Sequence, residues 1–304
     1  MKKLYKINFV RFIIFVITIV VATSCTSNKY AVNTQYPQLD STITYQGLLE
    51  ERFYDCSIGG PKQRRMMVYL PSDYYNSSKA YPVFYLLHGA RGNELSWIIK
   101  GDLLHNIDSL SSSGLIKDMI VALPNVNQYN DEEDFGKSRI KGAVESLFEV
   151  DGSSETPFVN DVVGFVDSVY RTIPQKDCRA IAGLSIGAMQ SMYISANAPD
   201  TFGYVGLFSS MRRPVFRIGE YSSFYKDLKE KHKAQFRNPP QLYSIMIGKC
   251  DIFYLQMKSF ASYLDCNGYS HELNIVSGGH DWYNWINFAN IFMQKLWRNN
   301  THIQ

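Results

Sequence analysis

From about residue 44 onward, short runs of apolar, β-branched and aromatic residues alternate with longer stretches whose apolar positions recur every three or four residues. The short runs have the length and composition of buried strands, and the longer stretches suit helices that bury one face. Strands are predicted at 65–70, 82–87, 118–123, 179–182, 204–208, 242–247 and 272–276, with an earlier one within 44–54 that pairs with 65–70 across the turn Gly59-Gly60-Pro61. Helices are predicted at 159–170, 186–198, 254–267 and 284–298, and Pro199 closes the second because it cannot extend the hydrogen-bond ladder. Strand-helix alternation of this kind predicts an α/β fold with a mostly parallel central sheet and helices on both faces. Between Met211 and Gln241 the strand rhythm lapses into an aromatic, charged segment, expected to be an excursion over the carboxyl edge of the sheet.

The N-terminal stretch follows a different pattern. Lys2, Lys3, Lys6 and Arg11 precede the apolar run from Phe12 to Ala22, the charged-then-apolar order of a secretory signal peptide. That run is too short to cross a bilayer, which takes roughly 20 apolar residues. It ends in Ala22-Thr23-Ser24-Cys25, which resembles the lipobox of bacterial lipoproteins and would make Cys25 the lipidated first residue of the mature chain. The alternative is an ordinary cleavage near Ala22 with Cys25 incidental. Residues 1–24 are therefore expected to be a signal peptide, 25–42 a polar tether and 43–300 a single catalytic domain. The expected location is the periplasmic or cell-surface face of a bacterial envelope, with the membrane as a partner through the lipid on Cys25.

Composition then removes several classes. Of 304 residues, 45% are hydrophobic and 19% charged, too apolar for a disordered chain. The formal net charge of +3 comes from the N-terminal stretch, whose four basic groups leave 27 basic against 28 acidic residues in the remainder. No nucleic-acid partner is expected from that balance. Cys56, Cys178, Cys250 and Cys266 could pair in an oxidising compartment, but spacing does not reveal how. There is no CxxC, HExxH or HxH spacing, so neither a metal nor another cofactor is expected.

The chemistry centres on Ala180-Ile181-Ala182-Gly183-Leu184-Ser185-Ile186-Gly187, an apolar strand that runs into GxSxG and then into a helix. That is the setting of a nucleophile elbow, where Ser185 sits on a sharp turn that leaves no room for side chains at the flanking glycines. A serine hydroxyl needs a base to take its proton and a third group to orient that base. His280, in Ser277-Gly278-Gly279-His280-Asp281-Trp282 just past the last predicted strand, is the expected base. Asp251 directly follows the strand at 242–247 and is the expected acid, with Asp265 and Asp281 as rivals. The order Ser185, Asp251, His280 is that of an α/β-hydrolase. The oxyanion formed on attack needs backbone donors, each usually worth about 3 kcal/mol. They are expected from the N–H of Ile186 and from the loop after 82–87, at Ala90 or its neighbour Gly89, with His88 bracing that loop.

Taken together, Val68-Tyr69-Leu70-Pro71, Tyr81-Pro82-Val83-Phe84-Tyr85-Leu86-Leu87-His88-Gly89, Arg179-Ala180-Ile181-Ala182-Gly183-Leu184-Ser185 and Gly278-Gly279-His280-Asp281-Trp282 resemble an esterase family of α/β-hydrolases. It includes esterase D, the feruloyl and acetyl-xylan esterases of carbohydrate esterase family 1, the enterochelin esterases and the mycolyltransferases. The resemblance covers roughly 44–298 and implies the α/β-hydrolase fold, a serine esterase mechanism and the triad at those same three positions. One departure is that the family commonly reads GLSMGG, whereas Ile186 and Ala188 stand here in place of the methionine and the last glycine. Only the backbone of Ile186 is needed, and Ala188 adds one methyl beneath the elbow.

The expected function is thus a secreted serine carboxylic ester hydrolase working through an acyl-enzyme, with an ester substrate that resembles feruloylated or acetylated polysaccharide. Acyl transfer by the same triad and a non-catalytic glycan-binding protein on the same fold are the alternatives. Trp97, Trp282 and Tyr283 are candidate contacts for a sugar or aromatic acyl group, although Trp282 and Trp285 could instead pack the last helix. Arg91, Arg212 and Arg213 are candidates for an acidic substrate.

Overall fold

The computed structural model of the chain describes residues 44–58, 62–90, 92–126, 152–212 and 220–298. The expected signal peptide, Cys25 and the tether lie outside the described residues, as do Arg91, Arg213 and the turn Gly59-Gly60-Pro61.

Eight strands make one sheet: β1 (Leu48–Asp55), β2 (Gln63–Leu70), β3 (Val83–Leu87), β4 (Ile120–Pro124), β5 (Arg179–Leu184), β6 (Tyr204–Phe208), β7 (Leu242–Gly248) and β8 (Glu272–Val276), in the spatial order 1-2-4-3-5-6-7-8. β1 and β2 form an antiparallel hairpin with Leu48 opposite Leu70 and Asp55 opposite Gln63. β2 also runs antiparallel to β4, and every neighbouring pair from β4 to β8 is parallel. Parallel neighbours need crossovers, which are usually helical. The described residues hold seven α-helices: α1 (Ser96–Gly101), α2 (Leu103–Ser112), α3 (Gly164–Val169), α4 (Ile186–Asn197), α5 (Leu228–Gln235), α6 (Tyr254–Cys266) and α7 (Trp282–Lys295).

β3 shows how the sheet is covered on both sides. All five of its residues are buried. Val83, Tyr85 and Leu87 join one cluster with Val166 of α3, Met189 and Met192 of α4 and Phe260 of α6. Phe84, pointing the other way by the two-residue period of a strand, packs on Phe292 of α7, which with Phe288 also meets Phe208. A strand buried on both faces loses the apolar-polar alternation, which is why the sequence reads there as an unbroken apolar run.

The structure differs from expectation in four places. The stretch expected as one helix at 159–170 opens with a π turn, Val159–Val163, before α3. The last helix starts at Trp282, two residues early, because the Asp281 side chain caps it by accepting the Asn284 N–H at 3.0 Å. α1 and α2 fill the β3–β4 crossover where no helix was predicted. They are separated by Asp102, whose positive φ of 46° breaks the run. Finally, the segment expected as an excursion over the sheet edge continues, after the undescribed 213–219, as a 3-10 turn Glu220–Tyr225 and then α5, both lying against α4. It is a crossover helix like the others, disguised because its buried residues are His232 and Gln235 rather than apolar ones.

Candidate active site

Ser185 lies between β5 and α4 with φ 55° and ψ −115°, a conformation that L-residues rarely adopt and that is kept only where surrounding structure enforces it. Here the enforcement comes from close backbone approach. A Cβ on Gly187 would stand 2.2 Å from the carbonyl oxygen of His88, and one on Gly183 would stand 2.6 Å from the Gly187 carbonyl carbon. The Ser185 N–H donates to Phe208 O at 2.9 Å, tying the turn to the end of β6.

The ends of β7 and β8 bring up the other two side chains. Lys249 and Cys250 donate their N–H groups to Val276 O and Gly278 O, at 2.8 and 2.9 Å, so the two loops travel as one unit. Gly278 takes φ +94°, open to glycine without cost, and the chain turns there toward the elbow. His280 then bridges: Nε2 is 3.0 Å from Ser185 Oγ and Nδ1 is 3.0 Å from Asp251 Oδ2. An ionised carboxylate only accepts, so Nδ1 carries the proton, and the Nε2 lone pair is left to accept from the serine hydroxyl.

Asp251 is 5% exposed, and its second oxygen accepts the Phe253 N–H at 2.8 Å. Burial by itself would raise the carboxyl pKa. The hydrogen bond and charge of His280, the Phe253 amide and the neighbouring Ser209 hydroxyl outweigh it and hold the group below the usual carboxylate range. The rival acids are engaged elsewhere. Asp281 spends its oxygens on the amides of Asn284 and Gly279, and Asp265 is an exposed residue of α6 lying 3.8 Å from His271.

The expected oxyanion donors lie on the facing loops. Ile186 opens α4, so its N–H has no intrahelical partner. Beyond β3, the carbonyl of Gly89 accepts from His88 Nδ1 at 2.9 Å and from the Gly92 N–H at 3.0 Å. Because a trans peptide is planar, pinning that oxygen fixes the Ala90 N–H in the opposite direction, which favours Ala90 over Gly89 as the donor. His88 can hold this geometry because its Nε2 accepts the Val126 N–H at 3.1 Å, leaving the proton on Nδ1. Burial outweighs these bonds and lowers its pKa to about 4, so the ring stays neutral as a brace.

The aromatic candidates separate. Trp97 is corrected as a substrate contact: it is 1% exposed, its indole N–H donates to Leu87 O at 3.0 Å, and its faces meet Phe208 and Trp282. Trp282 is half-buried between Trp97 and Trp285, whereas Tyr283 is 82% exposed on the first turn of α7. Arg212 lies over the Tyr263 ring at 5.5 Å. Three residues beside the site escaped sequence reading, Ser209, Phe253 and Asn284, and Trp285, read there only as packing for the last helix, also borders it. Asn284 is 1% exposed and donates to Gly279 O at 2.9 Å, holding the loop that carries His280. Only its place four residues after His280, in the first turn of a helix, could have pointed to it. Cys56, Cys250 and Cys266 form no disulfide, and among the described residues no three His, Cys, Asp or Glu side chains gather as metal ligands. No helix of the described residues is long and apolar enough to cross a membrane.

Comparison with known proteins agrees with this architecture. The family profile described as "Putative esterase" matches residues 60–290. An endo-1,4-beta-xylanase/feruloyl esterase of Xylanibacter ruminicola is 32% identical over 171 residues, 55% of this chain but 22% of that protein, so the match takes in under a quarter of the relative's length. A carbohydrate esterase family 1 ferulic acid esterase from the anaerobic fungus Anaeromyces mucronatus superposes with a TM-score of 0.64 at 22% identity, over 89% of this chain and 97% of that one. An S-formylglutathione hydrolase from Staphylococcus aureus does so with 0.62 at 18%, over 82% and 98%. These structures share the α/β-hydrolase fold, and with the profile match running from β2 into α7 the chain belongs to that esterase family.

Proposed function

We propose that the protein is a serine carboxylic ester hydrolase that removes feruloyl or acetyl groups from polysaccharide. The observation that carries this reading is the single imidazole bridging Ser185 and Asp251 at 3.0 Å on each side. In the proposed reaction His280 Nε2 takes the Ser185 proton as Oγ attacks the ester carbonyl. Asp251 holds the imidazole in the needed tautomer and stabilises the imidazolium that forms. The backbone N–H groups of Ile186 and Ala90 receive the oxyanion. The tetrahedral intermediate collapses as His280 gives its proton to the leaving alcohol. Water, deprotonated by the same imidazole, then releases the acid from the acyl-enzyme.

The substrate class is supported by the xylanase/feruloyl esterase relative and by a further structure of the Anaeromyces mucronatus ferulic acid esterase in complex with ferulic acid, similar in fold at a TM-score of 0.64. A screen of methyl ferulate, acetylated xylan and short acyl esters tests it. Turnover of the first two is expected, and Ser185→Ala should abolish it in folded protein. Activity on short acyl esters alone would remove the polysaccharide assignment, and activity surviving Ser185→Ala would remove the mechanism. We also propose export and lipid tethering through Cys25, supported by the apolar run and the Ala22-Thr23-Ser24-Cys25 sequence. Cys25→Ala should move the protein from the membrane to the soluble fraction, and an unchanged distribution would end that proposal.

A further inference from the structure

The hydrogen bonds of the His280 imidazole hold it only at its two nitrogens. Asp251 and Ser185 grip the two nitrogens from opposite sides. The ring keeps rotational freedom about its Cβ–Cγ bond, and such rotation would swing both nitrogens, and with them the Nε2 lone pair, out of line with Asp251 and Ser185. Two aromatic rings remove this freedom. Phe253 lies 5.2 Å from the imidazole centroid at 82° between planes, and Trp285 lies 4.9 Å away at 87°.

Both rings belong to the segments that carry the reacting groups. Phe253 is two residues past Asp251, and its own N–H is the one bonded to the Asp251 carboxylate. Trp285 is on the first turn of α7, five residues past His280, and its backbone N–H donates to Asp281 O at 3.1 Å. Trp285 is backed in turn by Trp282 at 5.3 Å, Trp282 by Trp97 at 5.3 Å, and Trp97 by Phe208 at 6.4 Å. A chain of perpendicular rings thus runs from the end of β6 to the imidazole. The Trp285 indole N–H is buried and has no hydrogen-bond partner. An unsatisfied buried donor is destabilising, so hydrogen bonding does not account for this side chain. Its ring contacts are with His280 and Trp282.

We propose that Phe253 and Trp285 are positioning residues, a pair of rings that limits rotation of the His280 imidazole about its Cβ–Cγ bond so that both nitrogens stay aligned with Ser185 and Asp251. This rests on the triad reading above. Proton transfer tolerates only about 10–20° of misalignment, so losing either ring acts on rate and not on substrate binding.

The test compares Trp285→Leu and Phe253→Leu with Trp285→Phe in the full chain, with folding checked by circular dichroism melts. With p-nitrophenyl acetate, each leucine variant should lose at least about tenfold in kcat with KM within about threefold, and Trp285→Phe should restore kcat to within about threefold. In proton NMR, the low-field resonance of the proton between His280 Nδ1 and Asp251 should broaden or vanish in the leucine variants and return in Trp285→Phe. A loss confined to KM, or folded leucine variants with wild-type kcat and an intact resonance, would overturn the proposal. If Trp285→Leu fails to fold, Phe253→Leu decides. If the wild-type protein proves not to hydrolyse esters, the function reading fails separately, and the resonance alone then supports or rejects the positioning role.

Discussion

His280 and His232 both pack against aromatic rings, and of the two only His280 has the partners that proton transfer needs. His280 touches Phe253 and Trp285, and both of its nitrogens are spoken for by Ser185 and Asp251. His232 on α5 is fully buried, with Phe236, Tyr243, Phe260 and Tyr263 at 5.6–6.3 Å between centroids, and neither of its nitrogens has a hydrogen-bond partner. Burial, helped by the charge of Arg212, lowers its pKa from 6.5 to about 4. Aromatic packing is therefore common to a base and to an inert core residue. What separates them is whether the imidazole meets a donor on one nitrogen and a carboxylate on the other.

That contrast can be broken at its largest effect first. His280→Ala should lower kcat/KM for ester hydrolysis by about 10⁴-fold or more, while His232→Leu should leave it within about threefold. Equal losses would mean that the imidazole at 280 is not the base. Next in size is a pair of identical substitutions: Asp251→Asn should cost on the order of 10⁴-fold in kcat because the amide no longer enforces the tautomer. Asp281→Asn should change rate and melting temperature little, since asparagine caps a helix as well as aspartate. A reversed outcome would exchange the roles assigned to the two acids.

The smallest effect concerns stability. His232 has a lowered folded-state pKa, so between pH 6.5 and about 4 the unfolded chain binds a proton that the folded ring refuses. Stability therefore falls as pH drops through that window, by about 2 kcal/mol between pH 7 and 4.5 from this group. His88, lowered to about 4 by its own burial, acts with the same sign. Urea unfolding at the two pH values should show a shallower loss in His232→Leu than in wild type, with part of the slope remaining through His88. An unchanged slope would show that the His232 ring is solvated after all.

The strands of the sheet were the most legible elements. β6 and β8 fall at their predicted bounds, and the others shift by a few residues, because a short apolar run between turn residues has few other ways to be buried. The elbow was legible for a related reason: GxSxG between a strand and a helix is a local constraint, and the approach of Gly187 to His88 O is its steric content. α5 was not legible, since a helix whose buried residues are His232 and Gln235 shows no apolar stripe. The Trp97 assignment failed for a complementary reason. A tryptophan near a site in sequence carries no mark of which way it faces, and here it faces the core beneath Trp282.

The order of chemistry-bearing residues along the chain was enough to name a nucleophile, an acid and a base, because each must follow the end of a strand and the strands announce themselves by composition. The sequence by itself also determined the fold class, since alternating runs of these lengths close into few arrangements. Tertiary structure alone decided which atoms of Asp251 and Ser185 meet the His280 ring, the direction of the Ala90 N–H and the rings that flank His280. Those depend on contacts between segments far apart in the chain, such as the bonds from Lys249 to the end of β8 and from Cys250 to the loop after it, and local residue preferences hold no information about such distances.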